Sequence, residues 1–219
     1  MERPQNLSIT PRTAIIIIVL FHVVGLAGLS IPATRTLFLQ IVPFHLLLML
    51  VVLVLSHAGF IKQLGAFFLL IFFTGYIAEW VGVHKQWLFG SYVYGRTLGL
   101  KLFDIPLTIG VNWFLLIYAA GVTMKRSRLK SVFFRVITGA LLLVVLDLLI
   151  EPVAIKFDYW QWAGNSIPFK NYLCWFVLSA ALLYVFEQFD FKKQSIAAPV
   201  LLVTQFVFFI LLNLTIALR

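Results

Sequence analysis

Five of the chain's eight acidic residues, Glu79, Asp104, Asp147, Glu151 and Asp158, lie at the ends of hydrophobic runs or in the two loops that follow them. Asp147 and Glu151 are four residues apart at the end of the run GALLLVVLDLLIE. A helix would carry both on one face. In a membrane that face has to point into the protein, because a charge turned toward lipid is costly. Two carboxyls close together in a low-dielectric site do not easily ionise together. One that keeps its proton at neutral pH is a usable general acid, and an ionised neighbour can act as base or steady a cation. Aromatic residues are interleaved with these acids: Tyr92 and Tyr94 in one loop, Trp160 and Trp162 in the other, with Trp87, Trp113 and Trp175 nearby. Their ring faces attract cations. Acids, aromatic walls, water on one side and hydrocarbon on the other suit protonation of a carbon–carbon double bond in a lipid, the cation then being quenched by water or by an internal alkene. Two plainer expectations compete. The acids could pair with local bases, Glu79 with Lys85, Asp104 with Lys101, and Glu151 or Asp158 with Lys156. The aromatics could form an interfacial belt.

Other chemistries find little support. His22, His45, His57 and His84 form no i, i+4 pair, which disfavours a di-iron oxygenase. A lone membrane histidine is more often an interhelical hydrogen-bonder, although His22 and His45 could meet in space. There is no phosphate-binding glycine loop or dinucleotide fingerprint. DLLIE offers half of a diphosphate–magnesium motif without a second copy. The single cysteine, Cys174, excludes an intramolecular disulfide and reads as an apolar filler. No metal and no cofactor is called for.

The elements that must position these residues are membrane helices. Of 219 residues, 62% are hydrophobic and 11% charged, and the mean hydropathy is +1.02. With about 20 apolar residues per crossing, seven spans are expected near Thr13–Ile31, Leu37–Ser56, Leu64–Val83, Asp104–Met124, Ser131–Ile150, Asn171–Phe186 and Ile196–Leu218; six or eight would also fit. The first is too long for a signal-peptide core and is expected to be retained. The fold class is therefore all-α, a polytopic bundle in a single domain covering residues 1–219. The net charge of +9 does not imply nucleic acid. KRSRLK (Lys125 to Lys130), Lys192 and Lys193, and Arg3 and Arg12 would fall on one side, which the positive-inside rule makes cytoplasmic, N-terminus included. Anionic lipids are partners enough for these charges.

The two acid-rich loops, Glu79 to Pro106 and Glu151 to Pro168, resemble each other. Each begins with a glutamate at a helix end, contains alternating aromatics and closes with Ile-Pro. IPLTIGVNWF (Ile105 to Phe114) and IPFKNYLCWF (Ile167 to Phe176) share Ile-Pro and Trp-Phe at equal spacing. This suggests a parallel helix–loop–helix repeat, with units near residues 64–124 and 131–188 and both loops on the non-cytoplasmic face.

FGSYVYG, IPLTIGVNW, DLLIEPVA, DYWQW and IPFKNYLCWF, in that order, resemble the carotenoid biosynthesis membrane proteins, which include the hydratases of acyclic carotenoid ends. The resemblance covers roughly Glu79 to Phe176. It implies a cofactor-independent enzyme of the inner membrane that adds water to the terminal double bond of an acyclic carotenoid. Water, membrane lipids and other carotenoid-biosynthesis enzymes are the implied partners. Glu79, Asp147, Glu151 and Asp158 carry over as acid candidates, and Tyr92, Tyr94, Trp160 and Trp162 as pocket aromatics, with Glu151 the favoured proton donor. A lycopene-type cyclase would start with the same protonation. A pigment-binding protein or transporter is the third reading, and would be expected to show helix breaks near Pro43 or Pro199.

Overall fold

The structure, a computed structural model, describes residues 8–57, 61–191 and 195–218. Arg3, Lys192 and Lys193, which carry part of the orientation argument, lie outside them. Among the described residues, seven helices make up the bundle: α1 (Pro11–Ser30), α2 (Pro32–Ser56), α3 (Ile61–Lys85), α4 (Leu107–Arg126), α5 (Val132–Lys156), α6 (Phe169–Gln188) and α7 (Ala197–Ala217). Each is long and apolar enough to cross a membrane, so the chain is a multi-pass membrane protein. α2 runs unbroken through Pro43, and Pro199 sits in the first turn of α7. Proline in a first turn replaces an N–H that has no helical partner. Neither proline interrupts a span.

α4 is the central helix. Nearly all its residues from Thr108 to Met124 are buried, and it packs against α2, α3, α5, α6 and α7. Small residues permit these close crossings. A Cβ on Gly75 of α3 would lie 2.4 Å from the Trp113 ring of α4. At the end of the bundle near the KRSRLK loop, Arg135 of α5 grips Glu187 of α6 through two nitrogens, each 2.8 Å from a carboxylate oxygen.

Several boundaries differ from the sequence expectation, and each difference has a local cause. α5 continues past Ile150 and through Pro152 to Lys156, so Asp147 and Glu151 both lie within the helix. α4 starts at Leu107 instead of Asp104. Before it, β2 (Lys101–Leu102) and β3 (Ile105–Pro106) pair antiparallel across a two-residue turn, with Phe103 at φ +47° and Asp104 at φ +64°. Positive φ at both central positions is the hairpin turn whose twist matches paired strands.

The two acid-rich loops are joined to each other. β1 (Tyr92–Tyr94) pairs antiparallel with β4 (Trp160–Trp162), in the register Tyr92 to Trp162, Val93 to Gln161 and Tyr94 to Trp160. Backbone bonds extend the seam, Gly95 N–H to Tyr159 C=O and Ala163 N–H to Ser91 C=O, each 2.9 Å. Side chains alternate faces along a strand. The two tyrosines and two tryptophans therefore point inward together, while Val93 stays exposed.

Candidate active site

Each loop delivers its aromatic pair to one glutamate. On α3, Glu79 accepts hydrogen bonds from the Tyr92 and Tyr94 hydroxyls at Oε2 (2.5 and 2.7 Å) and from the Trp113 indole N–H at Oε1 (3.0 Å). On α5, Glu151 accepts the indole N–H groups of Trp160 and Trp162 at Oε2 (3.0 and 2.8 Å), and the Asn171 amide at Oε1 (3.2 Å). Both glutamates are buried, and both have donors on each oxygen without a lysine or arginine among their partners. Bonds of this kind are strongest when the carboxyl is ionised. Asp147 lies one turn below Glu151. Its Oδ2 takes the same Asn171 amide nitrogen at 2.8 Å, and its buried Oδ1 has no hydrogen-bond partner among the described residues. Trp113 and Trp175 stack at 4.4 Å between ring centres beside these groups. The Tyr92 and Tyr94 hydroxyls are held well above their ordinary titration range, first by burial and then by the Glu79 carboxylate. They remain neutral donors.

Glu79, Glu151, Tyr92, Tyr94, Trp160 and Trp162 surround a cavity of about 30 Å³, which Asn112, Trp113, Asn171 and Trp175 also line. That is close to the space of one water molecule. A second cavity of about 310 Å³ lies mainly between α1, α2, α4 and α7, with Leu98, Ile150, Tyr159 and Trp160 also lining it, and its walls are mostly apolar. Ile109, Asn112 and Trp160 line both, so the acid cavity and the apolar one share a wall. Phe21, Val24, Ile41 and Phe44 line the larger cavity and are also exposed on the outer surface of α1 and α2. The larger cavity is thus bordered by exposed apolar side chains of α1 and α2.

The sequence-derived candidates separate into two groups. Glu79, Glu151, Tyr92, Tyr94, Trp113, Trp160, Trp162 and Trp175 meet at the small cavity, with Asp147 directly behind it. Asp104, Asp158 and Trp87 lie elsewhere. Asp104 is exposed in the β2–β3 turn, 3.5 Å from His84 rather than on Lys101; the Lys101 ammonium instead donates to the Tyr94 carbonyl. Asp158, at φ +56°, accepts the Arg96 backbone N–H at 3.1 Å and pins the two loops together. Gly95 is required beside it, since a Cβ there would stand 2.1 Å from the Asp158 carbonyl oxygen. Trp87 is 71% exposed. The local pairing expected for Glu79 with Lys85 and for Glu151 with Lys156 gives way to bonds across the bundle. Two amides, Asn112 and Asn171, escaped sequence reading. The available signal was a polar amide within the first two turns of an otherwise apolar helix.

The fold and site define a polytopic membrane protein with a carboxylate centre at one end of its bundle, walled off from an adjoining apolar cavity by Ile109, Asn112 and Trp160. Residues 37–219 match the family model described as "Carotenoid biosynthesis protein". The chain belongs to that family. It is also 27% identical over 130 residues to the bisanhydrobacterioruberin hydratase of Haloarcula japonica, an alignment covering 55% of this chain and 43% of that protein. The chain therefore spans less than half the length of this relative. No solved structure matches it.

Proposed function

We propose that the protein is a carotenoid-modifying enzyme that hydrates the terminal double bond of an acyclic carotenoid. The observation that carries this reading is the shared wall between the acid cavity and the apolar one, at Ile109, Asn112 and Trp160. The carotenoid enters from the bilayer through the gap bordered by Phe21 and Phe44, and its end reaches the carboxyls. Family membership and the hydratase relative support the substrate class and the reaction.

In the reaction, Glu151 in its acid form gives its proton to the less substituted carbon of the terminal alkene. The π pair becomes the new C–H bond, and the positive charge falls on the tertiary carbon. The faces of Trp160 and Trp162, and the ionised Glu79, stabilise that cation. A water oxygen bonds to the tertiary carbon, and the Glu79 carboxylate takes the surplus proton, which returns to Glu151 through the water-sized cavity. The net change is addition of one water, and no redox partner is needed. Asp147 acts from behind: it fixes the Asn171 amide against Glu151. The similar placement of Glu79 with its tyrosines and Glu151 with its tryptophans, and the Trp113–Trp175 stack, support the reading of a parallel repeat. The cytoplasmic N-terminus and inner-membrane placement belong to the same proposal.

Asn112 favours hydration over cyclisation. Its side chain faces both cavities and has no hydrogen bond to any described residue, so it is free to hold the attacking water. Expression in a host that accumulates lycopene, followed by mass analysis of the pigments, tests the proposal. A product heavier by one water supports it. An isomer of unchanged mass establishes the cyclase instead, and unaltered lycopene that nevertheless binds the protein refutes both.

A further inference from the structure

Three polar side chains stand in the apolar cavity that do not line the acid one. His22 of α1, His45 of α2 and Gln205 of α7 all line it. The His22 and His45 rings meet edge to face at 4.6 Å, realising the encounter that sequence left open. Phe208, one turn beyond Gln205 on the same side of α7, packs edge-on against His22 at 5.7 Å. His22 is 4% exposed and Gln205 7%. His22 Nδ1 is engaged by the Ile18 carbonyl at 2.7 Å, which makes Nδ1 the protonated nitrogen of the neutral ring and leaves Nε2 an acceptor. The Gln205 Oε1 is buried with no partner among the described residues. Inside a membrane, water is not at hand to satisfy such groups, and an unmet polar atom is expensive. If these residues served only to join helices, they would bond across to a neighbouring helix, whereas the His22 bond to Ile18 stays within α1. Instead, acceptors at His22 and Gln205 are left over, next to an amide nitrogen and the His45 ring that can donate. A hydroxyl group gives one hydrogen bond and accepts others, and so matches this mixture.

We infer that His22, His45 and Gln205 form a subsite for a hydroxyl group carried by an acyclic isoprenoid chain lying in the apolar cavity. This rests on the reading of the adjoining acid cavity as the place where the same chain reacts. An isoprenoid bearing such a hydroxyl is thereby bound in preference to its unoxygenated counterpart, with the hydroxyl buried at the trio and the alkene end at the carboxyls. A trapped water would make the same bonds to the trio, and the test separates the two.

The test uses the full chain in phosphatidylcholine nanodiscs, melted with farnesol or with farnesene at equal mole fraction. These are short acyclic isoprenoids differing in the hydroxyl. Binding raises the melting midpoint in proportion to occupancy. Farnesol is expected to stabilise the protein at about tenfold lower mole fraction than farnesene, the worth of one to two net hydrogen bonds. Gln205→Met, which keeps length and bulk, and His22→Phe should each remove that preference while leaving the smaller effect of farnesene intact, which shows that the cavity is still folded. Equal responses to the two ligands in the unmodified protein would mean that the trio holds water or joins helices, and would overturn the inference. So would a farnesol preference that survives both substitutions. Pigment conversion is scored separately. A farnesol preference without any carotenoid conversion would retain the subsite and reject the reading of the carboxyls.

Discussion

Glu151→Gln separates the acid's chemistry from its structural part. The introduced amide has nearly the same volume as the carboxyl, and its oxygen can still accept from Trp160 and Trp162, 3.0 and 2.8 Å away in the native site. Its NH2 then faces the Asn171 amide nitrogen, which at present bridges Glu151 and Asp147 at 3.2 and 2.8 Å. Two donors would oppose each other. Asn171 can relieve this by turning its oxygen toward the new amide, but Asp147 Oδ2 then loses its donor in a carboxyl whose other oxygen already has none. The structural cost is one charge-assisted bond and one stranded acceptor, about 1–3 kcal/mol. The chemical cost is larger, because an amide has no proton to give, and a general acid contributes roughly 10²–10⁴ in rate. The variant should therefore enter the membrane and melt a few degrees lower, yet convert carotenoid at least about 100-fold more slowly. Conversion is followed by chromatography and mass spectrometry of pigments from purified protein in nanodiscs, beside a melting curve of the same sample. A variant that turns over near the native rate would refute the assignment of Glu151 as proton donor. A loss of rate explained wholly by a loss of folded protein would refute the claim that the two roles are separable.

Much of this was legible in the sequence, for identifiable reasons. The spans are legible because a bilayer demands long apolar runs and the chain supplies seven of them. Asp147 and Glu151 were legible as a pair because i, i+4 spacing fixes a shared helix face whatever surrounds it. The alternation of Tyr92 with Tyr94, and of Trp160 with Trp162, signalled a shared direction but not a partner. Strand pairing between residues nearly seventy positions apart leaves no local mark, so the β1–β4 seam came from the structure alone. The misplaced acids fail for the opposite reason. Asp104 and Asp158 have the right residue type near the right loops, but both adopt positive φ in turns, and their work is local. Proximity in sequence likewise suggested lysine partners for Glu79 and Glu151, whereas their bonds go to indoles, hydroxyls and an amide brought in by tertiary packing. The larger cavity was invisible because its walls are mostly ordinary apolar residues drawn from five helices and the two loops, which no local pattern links.

Replacing both Tyr92 and Tyr94 by Phe removes two hydroxyls from Glu79, each worth about 1.5–3 kcal/mol as a bond to a charged group; melting should fall clearly and conversion with it, as thermal denaturation and pigment assays will register. Asp104→Asn should change neither, since asparagine tolerates the left-handed turn; abolished conversion in that variant would bring Asp104 back into the reaction. Gly95→Ala must push the two loops apart at Asp158, so conversion should drop even though every carboxyl and aromatic is retained, with near-ultraviolet circular dichroism reporting the disturbed tryptophans. Burial raises Tyr159, and burial with Glu79 raises Tyr92 and Tyr94. Because the folded values exceed the unfolded value of about 10, their stabilising contribution is full below that pH and is lost as pH rises above it. Stability should accordingly decline in alkali, and an absorbance titration should show these three phenols ionising only as the protein unfolds.

The central claim is that water is added at the carboxylate centre. Purified protein incubated with an acyclic carotenoid in 18O-labelled water tests it most directly. The account predicts a hydroxylated product carrying the label in its new oxygen, formed without added cofactor and absent with Glu151→Gln. An isomerised or cyclised pigment containing no label, or labelled product formed undiminished by that variant, would contradict it.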